Sequence, residues 1–302
     1  MRLSIKAFCI SMAIFMIVFI IGNLETHAGA RKVKDWGGCI IMIRKMTNVN
    51  GTLFFTVEDC VHGRELWKSD GTEAGTVMVK DINLVESSDP DYLINVNGAL
   101  FFGAKHHVEG DTSTLWKSDG TEAGTVKIDG PYSVKYLTNV NGTLFFSGQL
   151  SAGHELCKSD GTEAGTVMVK DIWFPSSSNP GFLTPVGSTI FFSANDGTTG
   201  FELWKSDGTD AGTVRVADIW PFATGSNPMF LTHFGLIVVF SANDGIYGRE
   251  LWASPLGVGA YLIKDIATAT GNPLLDSNPE SLTVIGGTLF FVATAYDGTG
   301  RE

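Results

Sequence analysis

A motif that keeps returning constrains this chain more than any other feature. Residues 65–82 read Glu-Leu-Trp-Lys-Ser-Asp-Gly-Thr-Glu-Ala-Gly-Thr-Val-Met-Val-Lys-Asp-Ile. The stretch recurs at Glu155–Ile172 with Cys157 in place of Trp67, and again at Glu202–Ile219. A shortened copy lies at Thr114–Ile128, and Glu250–Ile266 carries one whose middle has degraded. A chain built this way folds as an array of similar units, so the unit has to be read before the whole.

Within one unit, Glu65–Lys68 and Thr76–Val79 are short apolar or β-branched runs joined by a Ser-Asp-Gly-Thr segment, which predicts a hairpin with a longer turn. A second hairpin precedes it in every copy. Its turns are Asn50-Gly51, Asn97-Gly98 and Asn141-Gly142, with Gly187-Ser188 and Gly286-Gly287 as variants. Asn-Gly is favoured there because a type I′ turn needs positive φ twice. Each unit is therefore expected to have four strands, A to D. Phe54, Phe101, Phe145, Phe191, Val239 and Phe290 hold equivalent places in strand B, at spacings of 44 to 51 residues. That period fits a four-stranded blade of a β-propeller. Adjacent aromatics such as Phe54 and Phe55 point to opposite faces, so both faces of each sheet need cover, and radial stacking supplies it.

Five complete units lie between an orphan D-like segment at residues 31–36 and an orphan A–B pair within 282–302. The expected fold is thus an all-β propeller of four-stranded antiparallel blades, six in number, with the two end segments sharing the closing blade over 31–302. The competing arrangement is an open array. Asp297–Glu302 enters a strand C and stops short of its Leu-Trp, which reads as a truncated copy of the motif and leaves the blade count open.

Residues 1–30 differ from everything after them. Arg2 and Lys6 precede an apolar run from Ala7 to Ile21, followed by small residues at Ala28, Gly29 and Ala30. This is the pattern of a secretory signal peptide, with an uncleaved anchor as the alternative. The protein is expected to be exported: secreted, periplasmic or held at the cell surface. Beyond Cys9, three cysteines remain, an odd number. Cys157 stands at a Trp position and reads as a packing residue. A Cys39–Cys60 bridge is weighed against three free thiols, and the free thiols are the expectation. The formal charge of −11, without a basic cluster, argues against nucleic acid and against anionic membrane surfaces apart from the signal segment.

The A–B and C–D turns are uniform, whereas the D–A links and B–C loops vary, and in a propeller these variable sets share one face. Recognition is expected there. Trp173 and Phe174, and Trp220 and Phe222, open two neighbouring D–A links, with Trp36 near the equivalent place at the start. Exposed rings on one rim would suit sugar stacking or a protein partner; the plainer reading is that they pack beneath their own loops. Asp70, Asp119, Asp160 and Asp207 are candidate calcium ligands but read better as turn residues, as do Asp196 and Asp244. Asp81, Asp129, Asp171, Asp218 and Asp265, with Glu65, Glu155, Glu202 and Glu250, recur once per unit and read as strand-end caps and ion pairs. His62, His106, His107 and His154 fall in or near B–C loops without metal-site spacing. No cofactor is expected, calcium being the one alternative.

The copies at 65–76, 155–166 and 202–213 resemble the ELWxxDGT repeat family, and the likeness spans roughly residues 31–302. Its members are exported bacterial proteins, often labelled hyalin-like, for which a propeller is expected. The resemblance implies no catalytic residue and no ligand. Thr114, Cys157, Ser254–Ala260 and the C-terminal stop depart from the pattern. The function expected from the sequence is a binding or surface-interaction module, with a glycan or protein partner outside the cell or at its surface. The alternative is a carbohydrate-active hydrolase or lyase at the channel mouth; a sialidase-like site there would require a cluster of arginines, and Arg31, Arg44, Arg64, Arg215, Arg249 and Arg301 offer no obvious triad.

Overall fold

A computed structural model of the chain describes residues 32–36, 42–106, 112–151, 153–256, 259–268, 275–295 and 300–301. The signal segment lies outside the described residues, as do Cys39 and His107. The architecture is all-β and antiparallel throughout. The first unit is a four-stranded sheet of β1 (Met42–Val49), β2 (Thr52–Asp59), β3 (Gly63–Ser69) and β4 (Val77–Lys80), in that order. The fourth unit repeats it with β12 (Gly181–Val186), β13 (Thr189–Asn195), β14 (Phe201–Ser206) and β15 (Val214–Arg215). The fifth does so with β16 (Met229–Phe234), β17 (Ile237–Asn243), β18 (Arg249–Pro255) and β19 (Tyr261–Lys264).

The second and third units depart from that separation. They join in one seven-stranded sheet of β5 (Asp91–Val96), β6 (Ala99–Lys105), β7 (Ser113–Ser118), β8 (Val126–Val140), β9 (Thr143–Leu150), β10 (Gly153–Ser159) and β11 (Val167–Lys170). β8 closes the second unit and opens the third without leaving the sheet, so no D–A link exists there. The last unit contributes β20 (Glu280–Ile285) paired with β21 (Thr288–Val292), followed by the short pair β22 (Thr294–Ala295) and β23 (Gly300–Arg301).

The first strands β1, β5, β8, β12, β16 and β20 pack side by side in chain order and form the inner wall of the array. No comparable β20–β1 contact is found among the described residues. Residues 32–36, expected as a last strand, have irregular backbone instead, with no described strand alongside to pair with them. Trp36 nevertheless packs edge-on against Trp67, ring centroids 4.7 Å apart, on the face of the first unit turned away from the second.

Each interface between units is built from the same places in the repeat. Phe54, Leu66, Val79 and Ile82 of the first unit meet Leu100, Phe102, Ala104 and Trp116 of the second. Phe145, Leu156 and Val169 meet Ile190, Phe192, Ala194 and Trp204 one interface further on, and Phe191, Leu203 and Ile219 meet Val238, Phe240 and Trp252 after that. The first Phe of each strand B thus faces the following unit and the second faces the preceding one. Fully burying such a side chain contributes roughly 1.5–3 kcal/mol. Cys157, in the Trp place of the third unit, is free and fully buried against Phe101 and Phe146, and burial pushes its thiol up to about 12. Cys60 is disulfide-bonded, and its partner lies outside the described residues. That corrects the expectation of three free thiols: sequence spacing alone cannot say whether two loop cysteines come within bonding distance.

The Ser-Asp-Gly-Thr turn is held by its own side chains. Asp70 Oδ1 accepts from Thr72 N at 2.9 Å and Thr72 Oγ1 at 2.7 Å, Thr72 Oγ1 accepts from Gly75 N at 2.9 Å, and Thr76 Oγ1 donates to Thr72 O at 2.6 Å. A Cβ at Gly75 would lie 2.1 Å from the Asp70 carboxylate, which explains the second glycine of the motif. The same bonds recur around Asp119, Asp160 and Asp207. The motif lysine then ties each unit to the next: Lys68, Lys117 and Lys158 donate to the carbonyls of Gly120, Gly161 and Gly208 at 2.6–2.9 Å. Asn50, Asn97 and Asn141 of the A–B turns do likewise to Gly98, Gly142 and Gly187. The motif therefore encodes contacts between units as well as a turn within one.

Candidate functional site

On the opposite face, the glutamate that opens strand C organises the loops. Glu65 is fully buried and accepts from Ser88 Oγ at 2.6 Å, Ser88 N at 2.8 Å and Ile82 N at 3.0 Å. Glu155 takes the same bonds from Ser178 and Ile172, Glu202 from Ser226 and Ile219, and Glu250 from Ser277 and Ile266. Burial pushes the Glu65 carboxyl up to about 7 against these hydrogen bonds, and raises the other three as well. The partner serine begins a Ser-Asp/Asn-Pro tripeptide at 88–90, 178–180, 226–228 and 277–279. Its middle residue takes φ of 45–47° in all four. Spacing this regular was available in the sequence, yet the variable length of the D–A links conceals it.

The aromatic rim splits in two. Trp173 and Trp220 are half-buried, each lying over a glycine in the B–C loop of the following unit. A Cβ at Gly197 would fall 2.2 Å from Trp173 Nε1, and one at Gly245 would fall 2.6 Å from the Trp220 ring. The Asn195–Gly197 and Asn243–Gly245 turns thus serve as seats for indoles. Phe174 and Phe222 are left standing in solvent, 77% and 79% exposed. Trp36 is half-buried against Trp67 and belongs to neither group.

A second set of rings lies nearer the axis. Every strand A carries a bulge whose extra residue has φ of 52–57°: Lys45, Tyr92, Tyr136, Phe182, Phe230 and Ser281. Positive φ is rare for aromatic side chains and no turn residue announces it, so the sequence did not reveal this set. Tyr92 and Tyr136 stand 5.9 Å apart and Phe182 and Phe230 6.1 Å apart, ring to ring, in successive units. Beside them opens a cavity of about 330 Å³, lined by Lys135, Tyr136, His154, Asn179, Phe182 and Asn227 among others. Its size suits a small molecule or one or two peptide residues.

The remaining candidates do not gather into a reactive centre. His62 bonds Asp59 at 2.9 Å, His106 packs on the Trp116 ring, and His154 faces the cavity. Arg64 pairs with Glu58 and Asp89, Arg215 with Asp196 and Asp218, and Arg249 donates to the carbonyls of Asn227 and Ser241. These guanidinium groups are committed within their own or adjacent units. Asp129 and Asp218 form ion pairs, while Asp81, Asp171 and Asp265 each keep one buried oxygen without a partner. No group of three or more metal-ligating side chains occurs among the described residues.

No protein-family model matches the chain, and no curated protein does either. Solved structures do. A puromycin hydrolase matches with TM-score 0.54 at 14% identity, covering 88% of this chain and 44% of that one. A prolyl endopeptidase, from a study of inter-domain dynamics in catalysis and specificity, matches with TM-score 0.55 at 11% identity over 84% and 40%. Prolyl oligopeptidase B from Galerina marginata, as apo protein, matches with TM-score 0.53 at 12% identity over 84% and 41%. The chain thus spans less than half the length of these structures, and what it shares with them is a β-propeller-like fold. The expectation of a binding or surface-interaction module is corrected by this likeness, because the matching propellers are portions of peptidases. A repeat motif specifies how sheets stack, and stacked sheets carry no mark of what they are coupled to.

Proposed function

We propose that this chain is the propeller portion of a peptidase system, receiving peptides at its loop face for a hydrolytic centre supplied by other residues or another chain. The observation that carries the reading is the fold match, which spans most of this chain and under half of each peptidase. The axial cavity supports it by offering aromatic walls where an extended peptide would enter. With it we propose export, kinship with the ELWxxDGT repeat family, and a closed ring of six units. Trp36, seated on the outer face of the first unit, is where a closing blade would contribute.

A titration of the purified chain with fluorescein-labelled proline-containing peptides, with mass spectrometry of the products, tests the proposal. Saturable binding weakened by Tyr136→Ala and Phe182→Ala is the expected result. Peptides that neither bind nor are cleaved would overturn it.

A further inference from the structure

The cavity beside the third, fourth and fifth units is lined by one lysine and one histidine and by no carboxylate. The chain carries 32 acidic against 21 basic residues, and most lysines among the described residues have an ion-pair or hydrogen-bond partner. Lys45, on the inner wall of the first unit, pairs with Asp91 of the second at 2.8 Å. Lys135 holds the register place of Asp91 one unit further on, just before the bulge, and has no ion-pair partner among the described residues. Beside it, the half-buried His154 ring makes no hydrogen bond among the described residues. Burial, followed by the Lys135 charge, holds that imidazole below its ordinary value, which places the two groups within electrostatic reach. No Asp or Glu lines the cavity, whereas Tyr136, Pro180, Phe182 and Met229 give it apolar walls.

We propose that this cavity holds the free C-terminal carboxylate of a peptide, the oxygens on Lys135 and His154 and the last side chain against Tyr136 and Phe182. A single ammonium, an imidazole and apolar walls match a monoanion joined to an apolar group. A phosphate ester would call for the forked donors of an arginine, and no arginine lines the cavity. Lys135 is itself exposed, and the cavity walls beside it lower the local dielectric on one side, which strengthens its attraction for an anion seated there. This inference names the part of the peptide that the proposed function would have the mouth receive, and so rests on that reading.

The test uses acetyl-Ala-Ala-Phe with a free C-terminus and the same peptide as its C-terminal amide, titrated by calorimetry. The acid should bind at least tenfold more tightly than the amide. Lys135→Gln should abolish the difference and Lys135→Arg should keep it, with unchanged thermal melts showing that both variants fold. Equal binding of acid and amide, indifference to Lys135→Gln, or no binding of either up to millimolar concentration would each overturn the proposal. Proline-containing peptides that bind equally well with amidated ends would sink this site while leaving the peptidase reading intact. Selective binding of the acid with no binding of proline peptides would do the reverse.

Discussion

The two faces of the array are built on opposite rules. On the turn face, Asp70, Asp119, Asp160 and Asp207 make the same bonds to the same threonine, and Lys68, Lys117 and Lys158 reach the next unit's glycine carbonyl. On the loop face only the anchor is constant: a buried glutamate and a serine that together fix where each link begins and ends. Between those two points the links differ in length, sequence and exposure. The second unit shows that anchor and loop come together. Thr114 replaces the glutamate, its hydroxyl accepts from Trp116 Nε1 at 3.1 Å, and the chain runs straight on through β8. Repetition therefore marks what joins the units, and variation begins where the glutamate lets the chain leave the sheet.

Removing the anchor is expected to have the largest effect. Glu202→Ala strands buried donors on Ser226 and Ile219, and should lower stability by about 2–4 kcal/mol, since each orphaned group costs roughly 1–3. Thr114→Ala, which strands one indole N–H, should cost at most about 1 kcal/mol. Urea midpoints for the two variants measure the difference. Equal losses would mean that the loop face has no special anchor.

The same carboxylates give the fold a pH dependence of definite sign. The folded-state value of Glu65, about 7, lies above its ordinary 4.5, so its contribution is fully present below pH 4.5 and is lost as pH rises through 7. Between pH 5 and pH 7.5 the loss for Glu65 alone is roughly 2–3 kcal/mol. The turn aspartates oppose this at the acid end. Hydrogen bonds from threonine hold Asp70, Asp119, Asp160 and Asp207 below their ordinary value, so what they add disappears below about pH 4. Denaturation midpoints are expected to fall between pH 5 and pH 7.5, and Glu65→Gln should flatten that decline. A wild-type protein whose midpoint rises over this range would contradict the burial argument.

Much of the fold was legible because its determinants are local. Asn-Gly turns, the paired aromatics of strand B and the Asp-Gly-Thr turn each act within a few residues, so periodicity exposes them. The ties from Lys68 to Gly120 and from Asn97 to Gly142 cross to residues 52 and 45 places away, and the repeat shows only that their positions recur. The site was read less well. The rim aromatics stand out by their chemistry as candidates, yet nothing in Trp173-Phe174 says which ring will be seated on Gly197 and which left in water. The bulge aromatics were missed because the bulge arises from pairing between β5 and β6 and their counterparts, and Tyr92 has no local signal for positive φ.

Breaking the ties between units on the turn face should have a smaller effect than losing the anchor. Asn97→Ala and Lys117→Ala each remove one hydrogen bond to a neighbouring glycine carbonyl at the solvent boundary. Each is worth about 0.5–1 kcal/mol, and the double variant should lose nearly the sum because the two bonds share no partner. Thermal melts, at about 2–4 °C per kcal/mol for a chain of this size, resolve the double variant clearly.

The smallest effects belong to the exposed rim, and they separate its two kinds of ring. Phe174 and Phe222 cover little, so either Phe→Ala change should leave stability within about 0.5 kcal/mol. Trp173→Ala empties the seat above Gly197 and should cost about 1–2 kcal/mol, less than the 3–5 typical of a fully buried aromatic. If Phe174→Ala proves as costly as Trp173→Ala, the phenylalanine is covered in solution by something that the isolated chain does not show. If both are silent, the tryptophan seat is decoration, and the ordering of the D–A links rests on the glutamate and serine alone.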